Sequence, residues 1–373
     1  MKIIHVFNEL KFSGAEILYA DAAPIFKELG CELTALSTAQ NVGVFAPVLK
    51  EAGYKILHKK YPNRKQIIKR ILFYIKFIKF LKINNYDLVH IHRNDAMWGI
   101  SLCALFANKK AIYTFHNVFP SNKLSYIYNY TLRWTAKRIL KCKFQTISDS
   151  VYENELNYYH NSTEKIYNWY GDNRFYPKVN NEKEKFRNEL NLSLDSLVLI
   201  SIGGCNHVKR HSDILKALPI IIEKYPNCTY LHLGEGVTEK EELDLARKLG
   251  VEKNIRFCKN QVSVRKYLIA SDLYLMPSKY EGIPITTIEA MGSGIPSILY
   301  DVPGLKDFNK SGENSLLIPE DFKILAEKIL YLHENPSLAT KLSKNAKIFV
   351  DTNFNMKTNS TKIFELYKSI FSK

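Results

Sequence analysis

A chain of 373 residues is too long for one typical domain and fits two of ordinary size, and 46% hydrophobic residues can fill two cores. Six cysteines (Cys31, Cys103, Cys142, Cys205, Cys228, Cys258) lack C-x-x-C spacing, which argues against a disulfide or zinc framework and for the reduced thiols of a cytosolic protein. The net charge of +16 is uneven, with 24 Lys/Arg against 12 Asp/Glu in residues 1–170 (+12) and 29 against 25 in the other 203 (+4). A basic first half calls for an anionic partner; no zinc finger or RNP-type strand pair is present, so a membrane surface with acidic lipids fits better than nucleic acid.

In chain order, K-I-I-H-V-F at 2–7 reads as a buried strand with no cleavage site behind it, not as a signal peptide. Lysines interrupt every apolar run that approaches membrane-spanning length. Further strands are expected at 32–37, 86–91, 111–115 and 144–147. After the first strand, N-E-L-K-F-S-G-A-E at 8–16 leads into a helix, and Gly14 before its N-terminus is a phosphate approach point.

The stretch 64–83 is basic and amphipathic. On a helical wheel Lys65, Lys69, Lys76 and Lys79 share one face; Ile67, Ile71, Tyr74, Phe77, Ile78 and Leu81 share the other. Such a helix either covers a sheet with a solvated basic side or lies in a membrane interface. Both hold together if the apolar face is core and the lysines meet headgroups. His90 and His92 in V-H-I-H have equal parity and point to one face, core or cleft. T-F-H-N at 114–117 places His116 at a strand's carboxyl end.

Residues 171–190, charged around N-N-E-K-E-K, read as a hinge. A second strand series follows at 197–202, 229–234, 255–257, 272–278 and 296–300. Each half is therefore an α/β, doubly wound, Rossmann-like domain with ligands at the carboxyl ends of its strands, and two such halves make a cleft. The second half opens with a strand, then G-G-C-N-H-V-K-R-H, then a helix from about 212; Lys209 and Arg210 stand where a diphosphate would need cations. Gly234-Glu235-Gly236 is a strand-end turn.

The most informative stretch is E-G-I-P-I-T-T-I-E-A-M-G-S-G-I-P-S at 281–297, which reads strand, tight loop, helix, strand. Gly282 lets the backbone approach a ligand, Ile283 lies in the same loop, and Pro284 suits a first helical turn. Glu281 ends the strand and Glu289 lies more than one turn into the helix.

This E-x7-E segment resembles the signature of retaining nucleotide-sugar glycosyltransferases of family 4, which have two facing Rossmann-like domains, the GT-B architecture. S-G-A-E, with Ser13 in place of a first Gly, resembles the family's G-G-A-E turn. The usual Arg about five residues before the Lys is Gly204 here, a departure that leaves open whether Arg210 substitutes from a neighbouring position.

The resemblance implies an N-terminal acceptor domain at 1–170, with helix 357–373 crossing back onto it, and a C-terminal donor domain at 171–356. It implies donor contacts at Gly14, Lys209, Arg210, Glu281, Gly282, Ile283, Pro284 and Glu289, with Glu281 on the sugar and Glu289 on the ribose. His116 corresponds to the active-site His near the donor sugar. A donor phosphate oxygen, not a protein base, deprotonates the acceptor.

The expected activity is transfer from a UDP- or GDP-sugar, with retention and without metal or other cofactor, to a glycan or lipid-linked acceptor in surface polysaccharide synthesis. The expected location is the cytoplasmic, inner face of the cell membrane, held peripherally with Lys65, Lys69, Lys76 and Lys79 towards anionic lipid. Two alternatives are a nucleotide-sugar epimerase of the same architecture, which acts on the donor alone, and a non-catalytic basic membrane-surface binding protein.

Overall fold

The computed structural model describes residues 1–118, 122–309 and 313–372. The chain divides into two compact units: Met1–Trp169 with Met356–Lys373, and Tyr170–Asn355. Lys373, the end of the expected 357–373 segment, lies outside the described residues.

In the first unit the strands are β1 (Lys2–Phe7), β2 (Glu32–Ser37), β3 (Lys55–His58), β4 (Leu88–Ile91), β5 (Lys110–Phe115), β6 (Lys143–Thr146) and β7 (Glu164–Lys165). All pair in parallel, in the order β3-β2-β1-β4-β5-β6-β7. The order reverses between β1 and β4, the doubly wound arrangement, in which ligands sit beyond the carboxyl ends at the reversal. β1, β2 and β4 are buried along nearly their whole length, which is why they read as unbroken apolar runs. The sequence gives no such run for β3 and β7: these strands lie towards or at the sheet's edges with exposed ends. The helix Met356–Ser369 belongs to this unit, where Asn359 Nδ2 donates to Asn168 O (3.1 Å) and the Tyr367 hydroxyl meets His90 Nδ1 at 2.6 Å.

The amphipathic stretch forms the helix Ile67–Ile83. Phe77 and Leu81 are buried as expected, but Ile67 is 67% and Ile71 52% exposed, with Ile68, Leu72 and Ile75 exposed beside them. This corrects the assignment of Ile67 and Ile71 to a core face: Arg70, Phe73 and Tyr74 pack on Tyr61, and the packing continues through the Phe73–Phe77–Phe80–Tyr86 ring series.

In the second unit the strands are β8 (Val198–Ile202), β9 (Thr229–Leu233), β10 (Ile255–Phe257), β11 (Leu273–Met276), β12 (Ser297–Tyr300) and β13 (Leu316–Ile318). They too are parallel, ordered β10-β9-β8-β11-β12-β13, with the reversal between β8 and β11. β13, a three-residue edge strand, is another that its sequence does not announce. The expected hinge is in its second half a helix, Glu182–Glu189. Its charges pair within the unit: Arg187 with Asp272 at 2.8 Å, Glu182 with Arg265 at 2.7 Å and Glu189 with Lys266 at 2.8 Å. A linker-like composition here hides a set of ion pairs whose partners lie some eighty residues away.

Candidate active site

At the reversal in the second unit, the loops after β8 and β11 are tied together. Lys279 N donates to Val208 O (2.8 Å), and Glu281 N donates to Pro303 O (2.9 Å), which ties the loop after β12 to them as well. The Asn206 side chain accepts from Val208 N and Lys209 N (3.0 and 3.2 Å), folding the loop so that Lys209 turns back over Gly203. Lys209 Nζ then reaches Glu281 Oε1 at 2.8 Å, with side-chain exposures of 18% and 12%. Two of the expected donor residues thus form a half-buried ion pair across the loops. Gly304 (φ +83°) is required beside it, because a Cβ there would stand 2.3 Å from Glu281 O.

Gly282, Ile283 and Pro284 are buried. The helix runs Ile285–Gly292, with Pro284 extended (φ −74°, ψ 123°) just before it instead of in its first turn, and no side chain caps that end. Uncapped N–H groups at a helix start favour an anion. Tyr274, from β11, lies beneath: its hydroxyl is 3.1 Å from both Thr286 Oγ1 and Thr287 Oγ1. Burial raises the Tyr274 hydroxyl's pKa, the two threonines oppose this, and the charges of Glu281 and Glu289 both add to it. Both carboxylates therefore act on one phenol, and Glu289 is 7% exposed.

Arg210 is engaged elsewhere. It adopts a left-handed conformation (φ 51°, ψ 37°) before the helix His211–Lys224. Its guanidinium pairs with Asp213 at 2.7 Å and with Glu320, and lies 5.4 Å over the Tyr300 ring. Lys209 and Arg210 are neighbours in sequence but hold different acids, so the substitution of Arg210 for the family Arg has no support in this arrangement.

In the first unit Gly14 is the first residue of the helix Gly14–Asp21, preceded by extended Ser13. The Ser13 hydroxyl donates to the buried Glu16 carboxylate. Burial pushes Glu16 up to about 7, against the Ser13 hydrogen bond. At the strand ends, His116 Nε2 is 3.0 Å from His92 Nδ1, and His92 Nε2 is 3.0 Å from His5 Nδ1. Desolvation holds His116 at about 4 and His5 at about 3, and His92 well below its usual value, so the three rings are neutral near pH 7. A neutral imidazole donates through one nitrogen and accepts through the other, so the three tautomers are set together.

His90 joins the stack at 4.1 Å between its ring centroid and that of His92, but bonds Thr114 and Tyr367 instead. The equal parity of His90 and His92 was the signal for this stack; their link through His92 to His116 crosses strands, and one strand's sequence does not contain it.

Lys65, Lys69, Lys76 and Lys79 are exposed on or just before the helix Ile67–Ile83. None of the helices, among the described residues, is long and apolar enough to cross a membrane.

Two family models match: Glycosyltransferase Family 4 over residues 12–180 and Glycosyl transferases group 1 over residues 182–349. The capsular polysaccharide biosynthesis glycosyltransferase CapH of Staphylococcus aureus is 25% identical over 302 residues, 78% of each chain. An uncharacterized glycosyltransferase of Haemophilus influenzae is 27% identical over 157 residues, 42% of this chain and 44% of that one. The match thus spans less than half the length of that relative. The crystal structure of Anabaena Alr3699/HepE in complex with UDP and glucose superposes with a TM-score of 0.84 at 20% identity, covering 99% of this chain and 100% of the other. With one family model on each unit and a GT-B fold throughout, the chain belongs to the family 4 glycosyltransferases.

Proposed function

We propose that the protein transfers a sugar from a nucleotide-diphosphate donor, with retention at the anomeric carbon, to a glycan or lipid-linked acceptor in surface polysaccharide synthesis. The observation that carries this is the Lys209–Glu281 pair at the strand-order reversal, beside an uncapped helix start. When the anomeric C–O bond breaks, the electron pair stays on the leaving diphosphate. A lysine and helix N–H groups placed there stabilise the charge as it develops. Glu281, released from Lys209 by the incoming phosphate, accepts from a donor-sugar hydroxyl, and Glu289 accepts from the ribose. In this reading Gly14 gives the phosphates a second close backbone approach, and the diphosphate needs no metal. His116, kept neutral by desolvation, hydrogen-bonds the sugar, and the acceptor's proton passes to the departing phosphate oxygen.

UDP is the favoured nucleotide because the Anabaena Alr3699/HepE crystal structures are complexes with UDP, UDP and glucose, and UDP-glucose; GDP is the other candidate. The polysaccharide setting follows the CapH relative.

For the acceptor side, Ile67, Ile68, Ile71, Leu72 and Ile75 stand exposed among Lys65, Lys69, Lys76 and Lys79. An apolar stripe bordered by lysines suits the headgroup boundary of an anionic leaflet. A cavity of about 200 Å³ lined by Arg64, Arg70, Asp95, Tyr128 and Arg133, the last paired with Glu155, opens beside it. In this reading the protein sits peripherally on the cytoplasmic face of the cell membrane.

The test is thermal stabilisation by UDP, GDP, ADP, TDP and CMP without added metal, on wild type and on Lys209→Ala and Glu289→Ala. One nucleotide is expected to stabilise the wild type and to lose its effect in both variants. Absence of any shift overturns the donor-site assignment.

A further inference from the structure

Beneath the glycine turns of the second unit, four side chains of metal-binding type meet where no function has been assigned. Cys205 comes from the loop after β8, His211 from the first residue of the helix His211–Lys224, His232 from β9 and Glu242 from the helix Glu239–Lys248. They are 1%, 1%, 0% and 4% exposed. One donor atom of each lies within 4.8 Å of one from every other. His211 Nδ1 is 3.4 Å from Glu242 Oε1, His232 Nδ1 is 3.4 Å from Glu242 Oε2, and Cys205 Sγ is 3.5 Å from His232 Nε2.

Protein hydrogen bonds do not account for this cluster. Both nitrogens of His211, His232 Nδ1 and Glu242 Oε2 are buried without a hydrogen-bond partner among the described residues. Each such atom costs about 1–3 kcal/mol, so four in one place call for a ligand that satisfies them together. The other histidine cluster has fewer such atoms: His5 Nε2 lacks a hydrogen-bond partner among the described residues, but His5 Nδ1 and His92 Nε2 bond each other, and His90 bonds Thr114 and Tyr367.

We propose that Cys205, His211, His232 and Glu242 form a closed, structural site for one Zn²⁺ ion. The donor set is one sulfur, two imidazoles and one carboxylate, all zinc ligands. A thiolate and a carboxylate neutralise the dication, so the loaded site carries no net charge into the interior. Tetrahedral zinc with bonds of about 2.0–2.3 Å sets its donors about 3.3–3.8 Å apart, so no donor pair of the cluster, all within 4.8 Å, needs to close by more than about 1.5 Å. Binding sends the Cys205 thiol proton to solvent. Thr238 Oγ1, donating to Glu242 Oε1 at 2.8 Å, orients the carboxylate.

With four protein ligands no position is left for a substrate, so the ion staples instead of reacting. It joins the Gly203–Arg210 loop, which carries Lys209, to β9 and to the helix Glu239–Lys248. The site does not depend on the transferase reading. The four ligands are separated by 5, 20 and 9 residues, which matches no short zinc motif.

The experiment uses the untagged full-length chain. Elemental analysis of the purified protein, followed by Zn²⁺ titration of the chelator-treated protein against a chromophoric competitor, is expected to give about one equivalent. The zinc X-ray absorption spectrum of the wild type is expected to contain one sulfur neighbour, which a site at the other histidine cluster lacks. Cys205→Ala and Glu242→Gln are each expected to weaken zinc affinity at least about tenfold, in line with the effect of losing supporting groups elsewhere. Wild-type protein that neither contains nor takes up zinc overturns the proposal, as does bound zinc without sulfur. The spectrum is read on the wild type, so it decides the matter even if a variant fails to fold.

Discussion

Lys209 Nζ lies 2.8 Å from Glu281 Oε1 although 72 residues separate them in the chain. The pair joins the loops after the two strands that flank the reversal of strand order, where a doubly wound sheet binds its ligands. In the proposed reaction this ion pair holds a cation ready for an incoming diphosphate and keeps both charges satisfied until it arrives.

Lys209→Ala is therefore expected to lower kcat/KM for the donor by about 100-fold or more. It leaves the Glu281 carboxylate without its cation, at a cost of about 1–3 kcal/mol. Glu281→Gln is expected to lose comparable activity and less stability. Steady-state kinetics and urea unfolding on the two variants check both parts. Unchanged activity in Lys209→Ala sinks the assignment.

The neutral histidine stack makes the first unit sensitive to acid. His5 and His116 titrate at about 3 and about 4 in the fold, and near 6.5 once unfolded. Between those values the unfolded chain binds protons that the folded chain refuses, so stability falls as pH drops below about 6.5. Glu16, raised to about 7, works in the opposite direction between its ordinary value and 7, but it is one group against a stack. Urea unfolding at pH 7.5, 6 and 5 should show the loss. His116→Phe is expected to flatten it by about 1.4 kcal/mol per pH unit. A stability independent of pH across this range contradicts the neutral stack.

Membrane contact predicts a particular dependence on charge. Co-sedimentation with vesicles containing acidic lipid should be strong at low salt and weak with neutral lipid. Each lysine near an anionic surface contributes about 1 kcal/mol, so Lys69→Glu with Lys76→Glu should cut binding at least about tenfold. Ile68→Ser with Ile71→Ser should weaken binding that survives high salt. Equal binding to neutral and acidic vesicles would refute the electrostatic part.

Two glycines with positive φ separate backbone need from packing need. Gly250 (φ +69°) has no atom within 4 Å of a built Cβ, whereas at Gly234 (φ +145°) a Cβ would sit 2.0 Å from Gly203 O. Gly250→Ala should cost about 1 kcal/mol, and Gly234→Ala about 3 kcal/mol or more, because two backbone segments would have to part. Thermal unfolding of both variants checks the contrast, and near-equal losses would refute it.

The sequence by itself determined the two parallel-sheet domains, since buried parallel strands such as β1, β8 and β11 are apolar on both faces and read as unbroken runs. It also marked the loops that hold Glu281 and Lys209, because glycine and proline are needed wherever backbone turns sharply beside a strand end, and it marked His116 as the residue at the carboxyl end of a strand. The edge strands β3, β7 and β13 stayed hidden, having one side unpaired and little apolar signal. Tertiary structure alone decided the partners: Lys209 with Glu281 and Arg210 with Asp213 and Glu320, His116 with His92 and His5, and Cys205 with His211, His232 and Glu242. These contacts join residues from different strands and helices, whose approach depends on how crossovers order the sheet, and no local spacing in the chain records that order.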